Sequence, residues 1–196
     1  MSRVGPDVVR PAETTFGAPR VVTVAQEILP WELDLIERIC GDTRFHDVTV
    51  FTMVGEAMAL IHKPSDPAGA LWAVTGGIEP NESMADAVVR ETWEETGLCT
   101  RPVSYVLRME VLFTCGLRRR PWTSHVFLAS PASGFSLPGA PLPHLTPVDT
   151  HEVEYAQWVT VERFRTFVAP TLLASGWGRF QYRLALTEHL FRELGL

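Results

Sequence analysis

The sequence predicts an α/β protein, a sheet of mixed strands covered on both faces by helices. Three observations carry that prediction. Helical patterns stand before, between and after the strand patterns. No internal repeat and no linker divides the chain. At 196 residues and 46% hydrophobic composition, one domain with a sizeable core is the default.

In chain order, residues 1–30 carry Pro6, Pro11, Pro19 and Pro30 with little periodicity. They read as an extension that packs on the surface or crosses to a partner subunit, with a short strand at Val21–Val24. Residues 31–196 read as the single domain. Trp31 to Cys40 is a short helix with Leu35, Ile36 and Ile39 on one face, ended by Gly41. Val48–Val54 and Ala57–His62 form a hairpin about Gly55-Glu56. Lys63 to Gly69 is a loop, and Leu71–Val74 is a short strand. Val103–Thr114 and Trp122–Ala129 are long strands joined by a turn over Gly116–Pro121. Residues 131–150 hold five prolines and form a long irregular loop. Tyr155–Val159 is a strand, and Val161–Val168 a helix capped by Thr160 and stopped at Pro170. The chain closes with a helix from Gly178 to Leu194, burying Phe180, Leu184, Leu190, Phe191 and Leu194.

The stretch Gly76 to Leu98 carries the chemistry. Gly76-Gly77 permits a tight loop, and Pro80-Asn81 is turn chemistry. Ser83 is an N-cap, with Asp86 three residues on at the positive end of the helix. Ala85, Val88, Val89 and Thr92 recur at helical spacing as a buried face, and Gly97 suits a left-handed C-cap. Glu91, Glu94 and Glu95 fall at i, i+3 and i+4 in the C-terminal half, where the macrodipole disfavours anions. Each like-charge pair costs roughly 0.2–0.5 kcal/mol on an exposed helix. Carboxylates that work against their own helix call for a positive partner. With no cysteine or histidine alongside, a hard cation suits them: Mg²⁺, or Mn²⁺.

The spacing of the whole stretch resembles the Nudix box: Gly76, five residues, Glu82, seven residues, then Arg90-Glu91-Thr92-Trp93-Glu94-Glu95-Thr96-Gly97-Leu98. Seven fixed positions at roughly 7% usage each match by chance on the order of once in a million such chains. Thr92 replaces a larger aliphatic residue, and Thr75 stands before Gly76 where the family often has proline or glycine. Neither departure touches a carboxylate.

The resemblance implies a Nudix-type α/β/α sandwich around a mixed β-sheet. It implies Glu91, Glu94 and Glu95 as catalytic metal ligands, helped by a backbone carbonyl near Gly76, with Arg90 and Glu82 in support. The family's water-activating base varies in position; Glu154, Glu152 and Glu79 are the candidates here. Arg118, Arg119 and Arg120 make a basic turn that either meets a terminal phosphate or is a solvated hairpin tip. Trp72, Trp122 and Phe127 either stack on a base or belong to the core. The activity implied is metal-dependent hydrolysis of a nucleoside diphosphate linked to another group. The alternatives are a nucleoside triphosphate pyrophosphatase and a nucleotide-sensing domain without turnover. The proline beyond the box that accompanies ADP-ribose cleavage is absent, the corresponding stretch being Leu112-Phe113-Thr114. No NADH-type or coenzyme A signature is present, so no subfamily follows.

Net charge is −6 and pI about 5.5, which argues against a nucleic-acid or anionic-membrane surface. The expected partner is a small nucleotide, with a homodimer available through the N-terminal extension. Cys40, Cys99 and Cys115 show no disulfide or zinc spacing, and no apolar run reaches the length of a membrane span. A cytoplasmic protein is expected. Lys63 is the only lysine.

Overall fold

A computed structural model describes residues 5–132 and 141–196. Among these, seven strands form one mixed sheet: β1 (Arg20–Glu27), β2 (His46–Val54), β3 (Ala57–His62), β4 (Trp72–Gly76), β5 (Thr100–Cys115), β6 (Arg118–Pro131) and β7 (Tyr155–Thr160). Their order across the sheet is β1-β5-β6-β2-β4-β3-β7. β1 runs parallel to β5 and β2 parallel to β6; the remaining pairs are antiparallel. The helices are α1 (Pro6–Phe16), α2 (Pro30–Cys40), α3 (Met84–Thr96), α4 (Val161–Arg163), α5 (Ala169–Ala174) and α6 (Gly178–Leu194).

Side-chain alternation along β6 shows how the two faces are covered. Phe127 meets the edge of Phe16 from α1 and stacks on Tyr105. Ser124, three residues earlier and so on the opposite face, accepts the Tyr182 hydroxyl of α6. The expected sandwich around a mixed sheet is the observed one. None of the described helices is long and apolar enough to cross a membrane.

Several elements differ from expectation for identifiable reasons. The segment read as an extension builds α1 and a full edge strand. The strand expected at Val21–Val24 is present and longer: β1 pairs with β5 from Arg20↔Leu107 to Glu27↔Thr114, a partner about ninety positions away that the local pattern does not name. The buried face of α3 is Met84, Ala87, Val88, Glu91, Thr92, Glu95 and Thr96; Val89 is exposed. Glu91 and Glu95 thus sit on the inward side, where a hydrophobic pattern cannot place them.

The basic turn is not a turn. Arg118–Arg120 pair with Cys115, Thr114 and Phe113 in the ladder, and the reversal is made by Gly116-Leu117, with Gly116 at φ +56°. Pro170 does not stop the helix it was expected to end. Residues 164–168 widen into a π-turn in which Ala169 N–H donates to Phe164 O, and α5 continues beyond it. The wide turn accommodates a residue with no N–H and a ring that crowds the preceding carbonyls. On α6 the buried set includes Tyr182, Leu186 and Thr187, while Leu184 and Leu194 are only partly covered. Residues 133–140 of the expected loop lie outside the described residues; residues 141–150 fold back on α3. There Thr146 N–H donates to Thr96 O, and Val148 and Asp149 N–H both donate to Glu94 O. These bonds satisfy the carbonyls at the end of the helix.

Beneath α1, His125 hydrogen-bonds the Tyr105 hydroxyl and faces His46. Burial lowers the His125 pKa to about 3 and the His46 pKa to about 4, the neighbouring charges adding to the effect. A histidine depressed in the folded state is protonated first in the unfolded chain, so its contribution destabilises as pH falls below about 6.5. The buried carboxylates titrate in the opposite sense, so the test is differential. Relative to wild type, His125→Gln is expected to gain about 2 kcal/mol of stability between pH 6.5 and pH 5. Parallel urea titrations at both pH values measure this; an unchanged difference would refute it.

Candidate active site

The site forms where β4 runs into the loop before α3. Ser83 Oγ accepts the Asp86 N–H at 3.1 Å, starting the helix, and Gly97 at φ +73° ends it. Between these caps, Arg90 organises the acidic side chains. Its Nε and Nη2 fork onto Glu82 at 2.8 and 2.9 Å, and Nη2 also donates to Gly77 O at 2.8 Å. Glu82 in turn accepts the Glu79 N–H at 2.8 Å. Arg90 Nη1 donates to Glu91 Oε1 at 2.7 Å and to Glu94 Oε2 at 3.1 Å. The guanidinium therefore locks the loop, its glutamate and two of the three helix carboxylates into one unit.

Glu91 packs directly over Gly76. A Cβ built there would lie 1.8 Å from the Glu91 carboxyl carbon, so only glycine fits. Burial raises the Glu91 pKa to about 7, with Arg90 offsetting part of the effect. Glu95, 2% exposed, is also raised by burial; Lys63 and the Thr75 N–H work against this, the latter donating at 3.0 Å. Lys63 Nζ bridges Glu95 at 3.1 Å and Glu152 at 2.8 Å. Among the described residues, no group of three His, Cys, Asp or Glu side chains stands at metal-ligand spacing. Instead Arg90 Nη1 occupies the point where Glu91 and Glu94 converge. The donor set nevertheless fits a hard divalent cation: three carboxylates on one helix flank, two of them buried with less positive charge nearby than they require.

These groups line a cleft of about 630 Å³. It brings Gly76, Arg90, Glu91, Glu94, Glu95 and Glu152 together. Glu154 is turned away to His62 Nε2 at 3.4 Å, and Glu79 is outside the lining. Arg118 and Arg119 are also absent from the lining. Arg118 is held by Asp34 at 2.8 Å and Glu37 at 2.6 Å of α2, and Arg119 folds onto Gly116 O and Arg118 O. As exposed pairs these contribute little, so Arg118→Ala is expected to leave stability nearly unchanged. It should leave kcat/KM within twofold. A large loss of turnover would return Arg118 to the site.

Of the three aromatics, Trp72 and Trp122 line the cleft, whereas Phe127 is core. Sequence reasoning missed Lys63, Arg44 and Asp47, and missed Arg179, Tyr182 and Arg183 on α6. Only Lys63, the sole lysine, carried a signal.

The loop–helix unit is one part of a longer match. A family model described as the NUDIX domain covers residues 44–176, more than half of the chain. The chain belongs to the Nudix family.

A curated Nudix relative, the NAD-capped RNA hydrolase NudC of Chromobacterium violaceum, is 31% identical over 70 residues. That stretch is 34% of this chain and 26% of the relative, so the chain spans about a quarter of that relative's length. A solved NUDIX hydrolase from Nitrosomonas europaea is 20% identical with a TM-score of 0.52, covering 76% of this chain and 90% of that one. At that identity it shows the Nudix fold alone. A NUDIX-family hydrolase from Clostridium perfringens superposes at 17% identity and a TM-score of 0.47, over 63% and 85% of the two chains.

Proposed function

We propose that this Nudix protein is a Mg²⁺-dependent pyrophosphohydrolase that cleaves the diphosphate of a nucleoside diphosphate linked to another group. One observation carries the reading. The box places Glu91, Glu94 and Glu95 at the floor of a cleft large enough for a nucleotide, two of them buried without full compensation.

Glu91, Glu94 and Glu95, with the Gly76 carbonyl, would hold the cation; Mn²⁺ would serve by the same donor chemistry. When bound, it neutralises phosphate charge and acidifies a water. Arg90 and Glu82 keep the glutamate rotamers fixed before substrate arrives, so little reorganisation is needed during turnover. Glu152, held by Lys63 and lining the cleft, would take the proton of the attacking water. Water adds at one phosphorus, the bridging P–O bond breaks, and two phosphate monoesters leave.

A second reading, nucleotide sensing without turnover, is favoured by one feature: each of the three carboxylates already has a cationic side chain. Phosphate release from a panel of diphosphate-linked nucleotides and nucleoside triphosphates, with Mg²⁺ and with EDTA, separates the two. Metal-dependent turnover on one panel member is expected. Ligand-induced thermal stabilisation with no turnover on any of them would leave the sensing reading.

Metal binding has a readout of its own. Mg²⁺ at one hundred times its Kd is expected to stabilise the protein by about 2.7 kcal/mol, and EDTA to reverse it. No difference in thermal unfolding with and without Mg²⁺ would count against the metal assignment.

A further inference from the structure

The cleft holds five cationic side chains: Arg44, Lys63, Arg90, Arg179 and Arg183. Three are committed. Lys63 pairs with Glu95 and Glu152, and Arg90 with Glu82, Glu91 and Glu94. Arg179 pairs with Asp66 at 2.6 Å and lies 3.9 Å from Glu32. Among the described residues, Arg44 and Arg183 have no carboxylate within 4.0 Å.

Each is held in place by something other than an ion pair. Arg44 lies flat against the box loop: a Cβ at Gly77 would stand 2.5 Å from its Nη1. Its Nη2 donates to Cys40 Sγ at 3.1 Å, and its Nε is buried with no partner. Arg183 stands one helical turn after Arg179 on α6, its guanidinium 4.6 Å above the Trp72 ring. A guanidinium stacked by its face keeps its edge N–H groups available to a ligand. Asp47, also in the lining, spends Oδ2 on Trp122 Nε1 at 3.1 Å and Thr75 Oγ1 at 3.4 Å; its buried Oδ1 has no hydrogen-bond partner, and the charges of Arg44 and Arg183 act on it from beyond ion-pair distance. Two positioned guanidinium groups with no carboxylate within 4.0 Å, in a cleft whose other three cations are paired, suit a dianion.

We propose that Arg44 and Arg183 form an anion subsite for a phosphate group of the substrate outside the scissile diphosphate. It rests on the pyrophosphohydrolase reading for its role in turnover, and on the geometry alone for binding. Arg44 touches the box loop, so the subsite adjoins the reacting phosphates. Arg183 comes from α6, beyond the residues 44–176 that the family model covers. Two phosphate sources share this chemistry: the terminal phosphate of a nucleoside triphosphate, and a phosphomonoester on a ribose.

The test is calorimetric titration of inorganic phosphate into the full chain in EDTA. Without metal, the acidic end of the cleft repels the probe. Arg44→Gln and Arg183→Gln are each expected to weaken binding about tenfold, and Arg119→Gln to leave it unchanged. Thermal melts verify that each variant is folded, and Arg183→Lys, which keeps the charge, should retain part of the affinity. Equal affinity in all variants would overturn the subsite.

Kinetics with three substrates identify the source: a nucleoside triphosphate, a dinucleotide with a 2′-phosphate, and the same dinucleotide without it. In Arg183→Gln, KM should rise about tenfold only for the substrate whose extra phosphate uses the subsite. A uniform rise across all three would overturn the assignment. Loss of phosphate binding in the variants of a protein that turns over no substrate would keep the subsite and remove the hydrolase reading. Turnover with unaltered phosphate binding would do the reverse.

Discussion

Glu94→Gln is expected to lower kcat by about a hundred- to ten-thousandfold while the protein stays folded. Glu94 is the most exposed of the three carboxylates, with a side chain 37% accessible, and among the described residues its one polar side-chain contact is to Arg90. Gln keeps the shape and an acceptor oxygen but removes a charge that a divalent cation requires. The stability cost is therefore that of an exposed pair, below about 1 kcal/mol. The transition-state loss is the several kcal/mol that a metal supplies at phosphoryl oxygens. The Mg²⁺-dependent rise in unfolding temperature should shrink in the same variant. Steady-state kinetics with thermal melts in Mg²⁺ and in EDTA would show it. A variant with full kcat would remove the metal assignment.

Gly76→Ala should be nearly as damaging, by a different route. The new methyl would coincide with the Glu91 carboxyl in its present place, where Arg90 holds it. Either Glu91 leaves its pocket, breaking its bond to Arg90, or α3 lifts from the sheet. Overpacking of this kind costs about 1–3 kcal/mol, and a chain of this size loses about 2–4 °C in Tm for each kcal/mol. Turnover should fall at least a hundredfold, because both escapes move the same carboxylate. Gly116→Ala is the control for lost stability alone: its φ of +56° strains an alanine, but nothing lies within 4 Å of the added Cβ, and kcat should stay intact. If Gly76→Ala turned over like wild type, Glu91 would not be a ligand.

Much of this fold was legible because its local chemistry is unambiguous. Gly55, Ser83 and Gly97 mark turns and caps that need no distant partner, and the box helix follows from them. What escaped depends on contacts far along the chain. Only Val21–Val24 of β1 was expected as a strand; its full length, Arg20 to Glu27, is set by pairing with β5. Arg118 looked free in sequence, since nothing local shows that α2 brings Asp34 and Glu37 to it.

The site divides in the same way. Glu91, Glu94, Glu95, Arg90 and Glu82 are spaced by one helix and its preceding loop, so a short pattern describes them. Arg44, Arg179 and Arg183 reach the cleft from separate elements and share no spacing. The inward turn of Glu91 and Glu95 was hidden for another reason. Hydrophobic periodicity treats a carboxylate as outward-facing, and here burial is imposed by the glycine loop above it.

Glu32 ties α2 to α6. Its carboxylate, fully buried, accepts Leu29 N–H at 2.8 Å at the start of α2, and Gly178 and Arg179 N–H, each at 3.0 Å, at the start of α6. Until α6 has been made, this acid has only the Leu29 N–H of its three donors. A stop codon anywhere before Gly178 would leave a charge stranded in an apolar setting, not merely trim the molecule.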